Sequence, residues 1–193
     1  MHGENTWLRF NDEIQKNVHR IHDKYINEIV DRWCELNGLA KVELGGAFHA
    51  REGYIRIDLH DSDVIADLNR SWPFRDSSVG VIRAYDIFEH LGNPLNTMRE
   101  CYRVLAPGGW VLSCTPSTDG RGAFADPTHT SFWNENSFHY YTKTVRAQYI
   151  GTPVKFQAAR LWTGELNSDK TCWVHAHLCS MKDGYRPAGL VEI

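Results

Sequence analysis

The stretch NPLNTMRECYRVLAPGGWVLSCTPS, residues 93–117, decides the fold. Leu95, Met98, Cys101, Tyr102 and Leu105 recur at helical spacing, which predicts a helix over Asn93 to Leu105 with one apolar face. Pro107-Gly108-Gly109 then forces a turn, and Trp110 to Cys114 is a short apolar run of the kind that forms a buried strand. A second such run, Val79 to Tyr85, precedes the helix. Strand, helix and strand in this order make a right-handed parallel crossover.

Working outward, Lys41 to Leu44, Tyr54 to Leu59 and Val64 to Leu68 read as further buried strands. Only Gly45 to Gly53 separates the first two, whereas a full crossover needs about a dozen residues, so the early crossover helices are stubs or absent. Val154 to Trp162 and Thr171 to Met181 flank the polar Asn167-Ser168-Asp169 turn and suit an antiparallel pair. Before the sheet, Ile14, Val18, Ile21, Tyr25, Ile29, Trp33 and Leu36 mark one amphipathic helix from Asn11 to Leu36, with Asn37-Gly38 as its stop. These elements predict a three-layer α/β fold: a mostly parallel sheet with an antiparallel C-terminal edge, shortened early crossovers and an N-terminal helix. No repeat or linker divides the chain, so residues 1–193 read as a single domain, with a helical segment at 1–38, a core at 39–117 and a loop with C-terminal strands at 118–193.

Composition narrows the function. Apolar residues are 42% and charged residues 23%, the balance of a folded globular domain. The formal net charge is -3 with Lys and Arg dispersed, so the sequence offers no basic block for a run of phosphates, and nucleic acid is not the expected partner. Five cysteines without a CxxC pair suggest no disulfide framework and fit a reducing cytoplasm. Neither an apolar signal region nor an apolar run of about 18 residues occurs, so no membrane role is expected.

In open α/β sheets ligands bind beyond the carboxyl ends of parallel strands. The first strand there ends in Glu43-Leu44-Gly45-Gly46-Ala47, whose small residues let backbone N–H groups approach a ligand, although a plain turn has the same composition. Asp58, ending the second strand, suits a pair of ribose hydroxyls. Asp67 could accept a bond from an exocyclic amine or simply form a turn.

Taken in order, ELGG, GYIRID, DVIADLNRSWPF, AYDIFEHL and RVLAPGGWVLSCTPS resemble the motif series of class I S-adenosylmethionine-dependent methyltransferases, over roughly Lys41 to Ser117. The resemblance implies a Rossmann-like methyltransferase fold with S-adenosyl-L-methionine as cofactor. It implies that Gly45, Gly46 and Ala47, with Glu43 before them, pass beneath the methionyl part and that Asp58 and Leu59 meet the ribose. Asp67 and Leu68 would flank the adenine, and Ala84 and Tyr85 the amino-acid end. Two positions depart from the pattern: Ala47 stands at the second glycine of Gly-x-Gly, and Gly80 replaces an acid early in the fourth strand, which reads as drift in the scaffold.

Past the fifth strand, Asp126-Pro127-Thr128-His129 precedes Phe132, Trp133 and a helix-like Asn134 to Tyr141. This DPTH stretch resembles a subgroup of small bacterial and phage-type methyltransferases, including ones near sugar and surface-polysaccharide genes, and implies a small hydroxylated acceptor. Methyl transfer to a hydroxyl needs a nearby proton acceptor. His129 is the first candidate base, with Asp126, Asp86 and His90 as other polar groups facing the same cleft. His129 with His139, or His175 with His177, lacks the supporting pattern of a metal site, and no metal is expected. Competing readings are a catalytically degenerate fold that binds a partner, a nucleic-acid methyltransferase stacking a base on Phe132, Trp133 or Tyr140, and a dinucleotide oxidoreductase, against which the absence of G-x-G-x-x-G counts.

Overall fold

A computed structural model describes residues 26–46 and 50–184. Seven strands form one sheet in the order β3-β2-β1-β4-β5-β7-β6. They are β1 (Ala40–Leu44), β2 (Ile55–Asp58), β3 (Val64–Ile65), β4 (Val79–Tyr85), β5 (Leu105–Pro116), β6 (Phe156–Thr163) and β7 (Trp173–Ser180). The first five run parallel. β7 is antiparallel to both β5 and β6, as the Asn167-Ser168-Asp169 turn predicts. The ends of β1, β2, β4 and β5 therefore share one edge.

The helices are α1 (26–37), α2 (Pro94–Val104), α3 (Gly122–Ala125), α4 (Glu135–Thr142) and α5 (Thr144–Tyr149). α2 begins at Asn93, whose side chain accepts the Asn96 N–H, and Pro94 sits where no intrahelical donor is needed. Its Met98, Cys101 and Val104 pack with Ile82, Val111 and Leu178 on one face of the sheet, where Phe138 and Tyr141 of α4 join them. On the opposite face Ile26, Val30 and Cys34 of α1 meet Val81 and Leu112. The sheet thus lies between two helical layers, and Val81 and Ile82 point opposite ways as strand alternation requires.

Several expectations shift in detail. Between β1 and β2 and between β2 and β3 the described residues hold no helix. The predicted third strand contracts to two residues and Ala66 to Leu68 leave the sheet. Pro107-Gly108-Gly109 does not end a strand but forms a bulge, because Val79 pairs with Leu105 while Val81 already pairs with Trp110. The buried stripe of α1 is Ile26, Val30 and Cys34, whereas Ile29 and Leu36 are 64% and 75% exposed, one position out of phase with the expected face. The predicted span from 11 to 25 lies outside the described residues.

Gly80 explains that phase. A Cβ there would lie 2.5 Å from Cys34 Sγ and 3.2 Å from the Trp33 ring. The glycine is a steric requirement of helix packing and not drift. Gly80→Ala should destabilise the fold by about 1–3 kcal/mol, measured by denaturant unfolding, and adding Cys34→Ala should restore part of that loss.

Glu100 of α2 organises residues 71–76. It accepts the Trp72 N–H at 2.7 Å and two bonds from Arg103, whose guanidinium also reaches the carbonyls of Trp72 and Phe74. Burial works to raise the Glu100 pKa, but the Arg103 bonds and the Trp72 N–H outweigh it and hold the carboxyl below its ordinary range. A depressed pKa contributes stability above the unfolded value of about 4.3, and that stability disappears as pH falls through the folded value. Glu100→Gln should lower stability at pH 7 by about 1–3 kcal/mol and flatten the acid limb of a Tm-against-pH curve.

Candidate cofactor and acceptor site

β1 is followed by Gly45, whose φ of +68° suits glycine and whose N–H donates to Ile57 O at 2.9 Å. A Cβ on Gly45 would come within 2.9 Å of Ile87. The turn after β1 is therefore pressed between the end of β2 and the segment after β4. Asp58 is half-buried on that edge, with one carboxylate oxygen accepting the Leu59 N–H at 2.6 Å. Gly46, with Arg51, Tyr54 and Arg56 from the segment leading into β2, lines a cleft of about 380 Å³.

Other predicted contacts fall less simply. Glu43 is buried and paired with Arg83 at 3.0 Å, so its side chain ties β1 to β4. Leu68 and Ala84 have their side chains in the core and can offer a ligand only backbone. Asp67 accepts the Asn69 N–H at 2.9 Å and pairs with Arg70, and those hydrogen bonds hold its pKa below the ordinary range. Leu59 is exposed, and Tyr85 is exposed with the Arg83 guanidinium 4.4 Å from its ring centre. Ala47 lies outside the described residues.

The DPTH loop meets a 3-10 turn, Phe88–His90, after β4. Thr130 N–H and Ser131 N–H both donate to Glu89 O, at 2.8 and 3.0 Å, and Ser131 Oγ donates to Phe88 O. Trp133 is only 1% exposed, stacking between Phe88 and Phe138 and donating its indole N–H to Ser131 Oγ. It is a core residue and cannot receive a base, unlike exposed Phe132. Asn134 and Ser137 form the capping box that starts α4.

This stitching brings His90 and His129 together with ring centres 5.0 Å apart. Asp126 accepts the Thr128 N–H and hydroxyl at 2.7 and 2.6 Å, bonds that hold its carboxyl below the ordinary range. Thr128 in turn touches His90 Nδ1. Asp86 closes β4 at φ +50°, its N–H bonded to Cys114 O and its carboxylate accepting the Trp173 indole N–H. A non-glycine residue in that conformation at a strand's carboxyl end is the kind of local cost that concentrates at working sites.

Glu89 was not among the expected site residues, yet it is 2% exposed and faces this cluster, accepting the Thr115 hydroxyl at 2.5 Å. Burial pushes its pKa up. The EHL motif contains it, but only the fold reveals that its side chain turns inward. His139, by contrast, is on α4 and His175 and His177 lie on β7, stacked on and against the Trp162 ring. A separate cavity of about 260 Å³, lined by Lys143, Gln157 and Met181 among others, lies where β6 begins and β7 ends, away from this edge.

Residues 47–113 match the methyltransferase domain family. Over 174 residues the chain is 32% identical to a Mycolicibacterium smegmatis protein described as a "Probable S-adenosylmethionine-dependent methyltransferase", an alignment covering 82% of this chain and 65% of that protein. A Mycobacterium tuberculosis protein of like description is 33% identical over 86 residues, 42% of this chain and 30% of its own. The chain thus spans just under two thirds of the first relative's length. Among solved structures, MccD protein overlays with a TM-score of 0.53 at 12% identity, covering 78% of this chain and 95% of its own. In sequence the chain is thus similar to S-adenosylmethionine-dependent methyltransferases, and in fold it is similar to MccD protein.

If Ser131 locks the loop as described, Ser131→Ala leaves the Trp133 indole and Phe88 carbonyl without their partner. The variant should lose about 1–3 kcal/mol and show faster hydrogen exchange at Thr130 and Ser131 than elsewhere.

Proposed function

We propose that the chain acts as one unit that transfers a methyl group from S-adenosyl-L-methionine to a hydroxyl of a small molecule, with a sugar or similar hydroxylated metabolite as acceptor. The observation that carries this reading is the juxtaposition of the Gly45-Gly46 turn with Asp58 at one edge of the sheet, joined by the Gly45 N–H bond to Ile57 O. The residues fit the cofactor: the second Asp58 carboxylate oxygen suits ribose hydroxyls, Gly45 and Gly46 put no side chain of their own in the way of a ligand, and the segment from Asp67 to Leu68 flanks the adenine. S-adenosylmethionine supplies an electrophilic methyl carbon on a sulfonium.

The match to the methyltransferase domain family and the shared description of the relatives support the same cofactor. On the acceptor side His129 takes the hydroxyl proton, because its Nδ1 lies 2.9 Å from Ala123 O and a proton held there leaves Nε2 as the basic nitrogen. His90, positioned by Thr128 and Asp126, and Asp86 orient the acceptor. All five cysteines are free and no helix among the described residues is long and apolar enough to cross a membrane, which supports the reading of a cytoplasmic enzyme.

One observation favours a second reading: the loop after β1 shows no helix among the described residues, and only Gly45 to Tyr54 separates β1 from β2. A fold that has lost turnover would share this feature. Calorimetric titration with S-adenosylhomocysteine separates the two. The account expects micromolar binding weakened at least tenfold by Asp58→Ala, an effect of about 1.4 kcal/mol or more. Absence of binding to the wild-type protein would favour the degenerate fold.

A further inference from the structure

We infer that Glu89, His90 and His129 form a binding site for a divalent transition-metal cation of the zinc type, at the acceptor side of the cleft. The inference deepens the functional reading above and depends on it only for what the ion would do.

The three side chains come from two separated segments, and one donor atom of each lies within 4.8 Å of the others. Ligands about 2.1 Å from a tetrahedral ion stand about 3.4 Å apart, so small side-chain rotations complete the set. Both imidazoles have a partner at Nδ1. His129 Nδ1 lies 2.9 Å from Ala123 O, and His90 Nδ1 lies 3.3 Å from Thr128 O and 3.2 Å from Thr128 Oγ1. A proton on each Nδ1, given to a carbonyl, leaves each Nε2 with its lone pair, the arrangement that outer partners impose on metal-bound histidines. Asp126 fixes Thr128 through the 2.6 Å hydroxyl bond and so extends the support one residue further.

Glu89 supplies the anionic ligand. Its carboxylate is withdrawn from water and steadied by Thr115, while its own backbone carbonyl anchors the loop that carries His129. Two imidazoles and one carboxylate suit zinc, cobalt or nickel better than magnesium or calcium, and three protein ligands leave a position for water or an acceptor oxygen. An ion bound here would occupy the His129 lone pair, so ion and free imidazole are alternative ways of activating one hydroxyl.

Tag-free, chelator-treated protein titrated with Co(II) tests this. The expected result is the visible absorption of four- or five-coordinate Co(II), saturating at one ion per chain and displaced by Zn(II). His90→Ala and His129→Ala, each checked for a wild-type circular dichroism spectrum, should weaken binding at least tenfold, as should the near-isosteric Glu89→Gln should an alanine variant not fold. No absorption band, or a band that survives in folded histidine variants, overturns the site. Titration with S-adenosylhomocysteine on the same samples separates the two claims: its binding without cobalt binding sinks only the ion, and cobalt binding without it sinks only the cofactor reading.

Discussion

Two backbone amides, from Thr130 and Ser131, converge on the carbonyl of Glu89, and the placing of the DPTH loop depends on that contact. Without it the loop after β5 would be an exposed connection, since its own residues are mostly polar. With it, side chains 39 positions apart in the chain face one another across the cleft. The same short segment does more: Ile87 backs the Gly45 turn, Asp86 bonds β5 and β7, and Glu89 reaches Thr115. The end of β4 is thus the junction at which the Gly45 turn and the DPTH loop meet.

That junction matters because the cofactor edge has little helical support. With no helix among the described residues between β1 and β3, the strand ends rely on polar ties. Arg83 pairs with Glu43, Arg56 with Asp63, and Arg51 and Tyr54 both bond Asp31 of α1. Arg56, Glu43 and Arg83 occupy one cross-strand row, so opposite charges alternate where like charges would repel. Such pairs orient strand ends more than they stabilise them, since the exposed members are screened by water. Stability comes instead from the two apolar layers, and α1 can approach the sheet closely because Gly80 has no side chain.

Much of this was legible in the chain. Apolar runs located all seven strands, and the polar turn before β7 marked the antiparallel edge, because buried strands and tight turns leave local signatures. Asn93 and Asn134 signalled their helices for the same reason. What escaped was set by tertiary contact. The phase of α1 follows from a glycine on a strand distant in sequence, the shortness of β3 from the Asx turn at Asp67, and the core position of Trp133 from Phe88 and Phe138. Among the candidate residues, Asp58, His90 and His129 stood out because strand-end acids and motif histidines are visible locally. Glu89 did not, since inward direction is invisible without the fold. Glu43 looked like a cofactor contact but is committed to Arg83, a partner 40 positions away.

The central claim, a cofactor site across the ends of β1 and β2, is most directly tested by nitrogen-proton correlation spectra of labelled protein during titration with S-adenosylhomocysteine. The account predicts that amides of Gly46, Leu59 and Leu68 shift progressively, while Gly151 and Thr152 beside the remote cavity stay fixed. Shifts confined to the remote cavity, or none at saturating ligand, would contradict it.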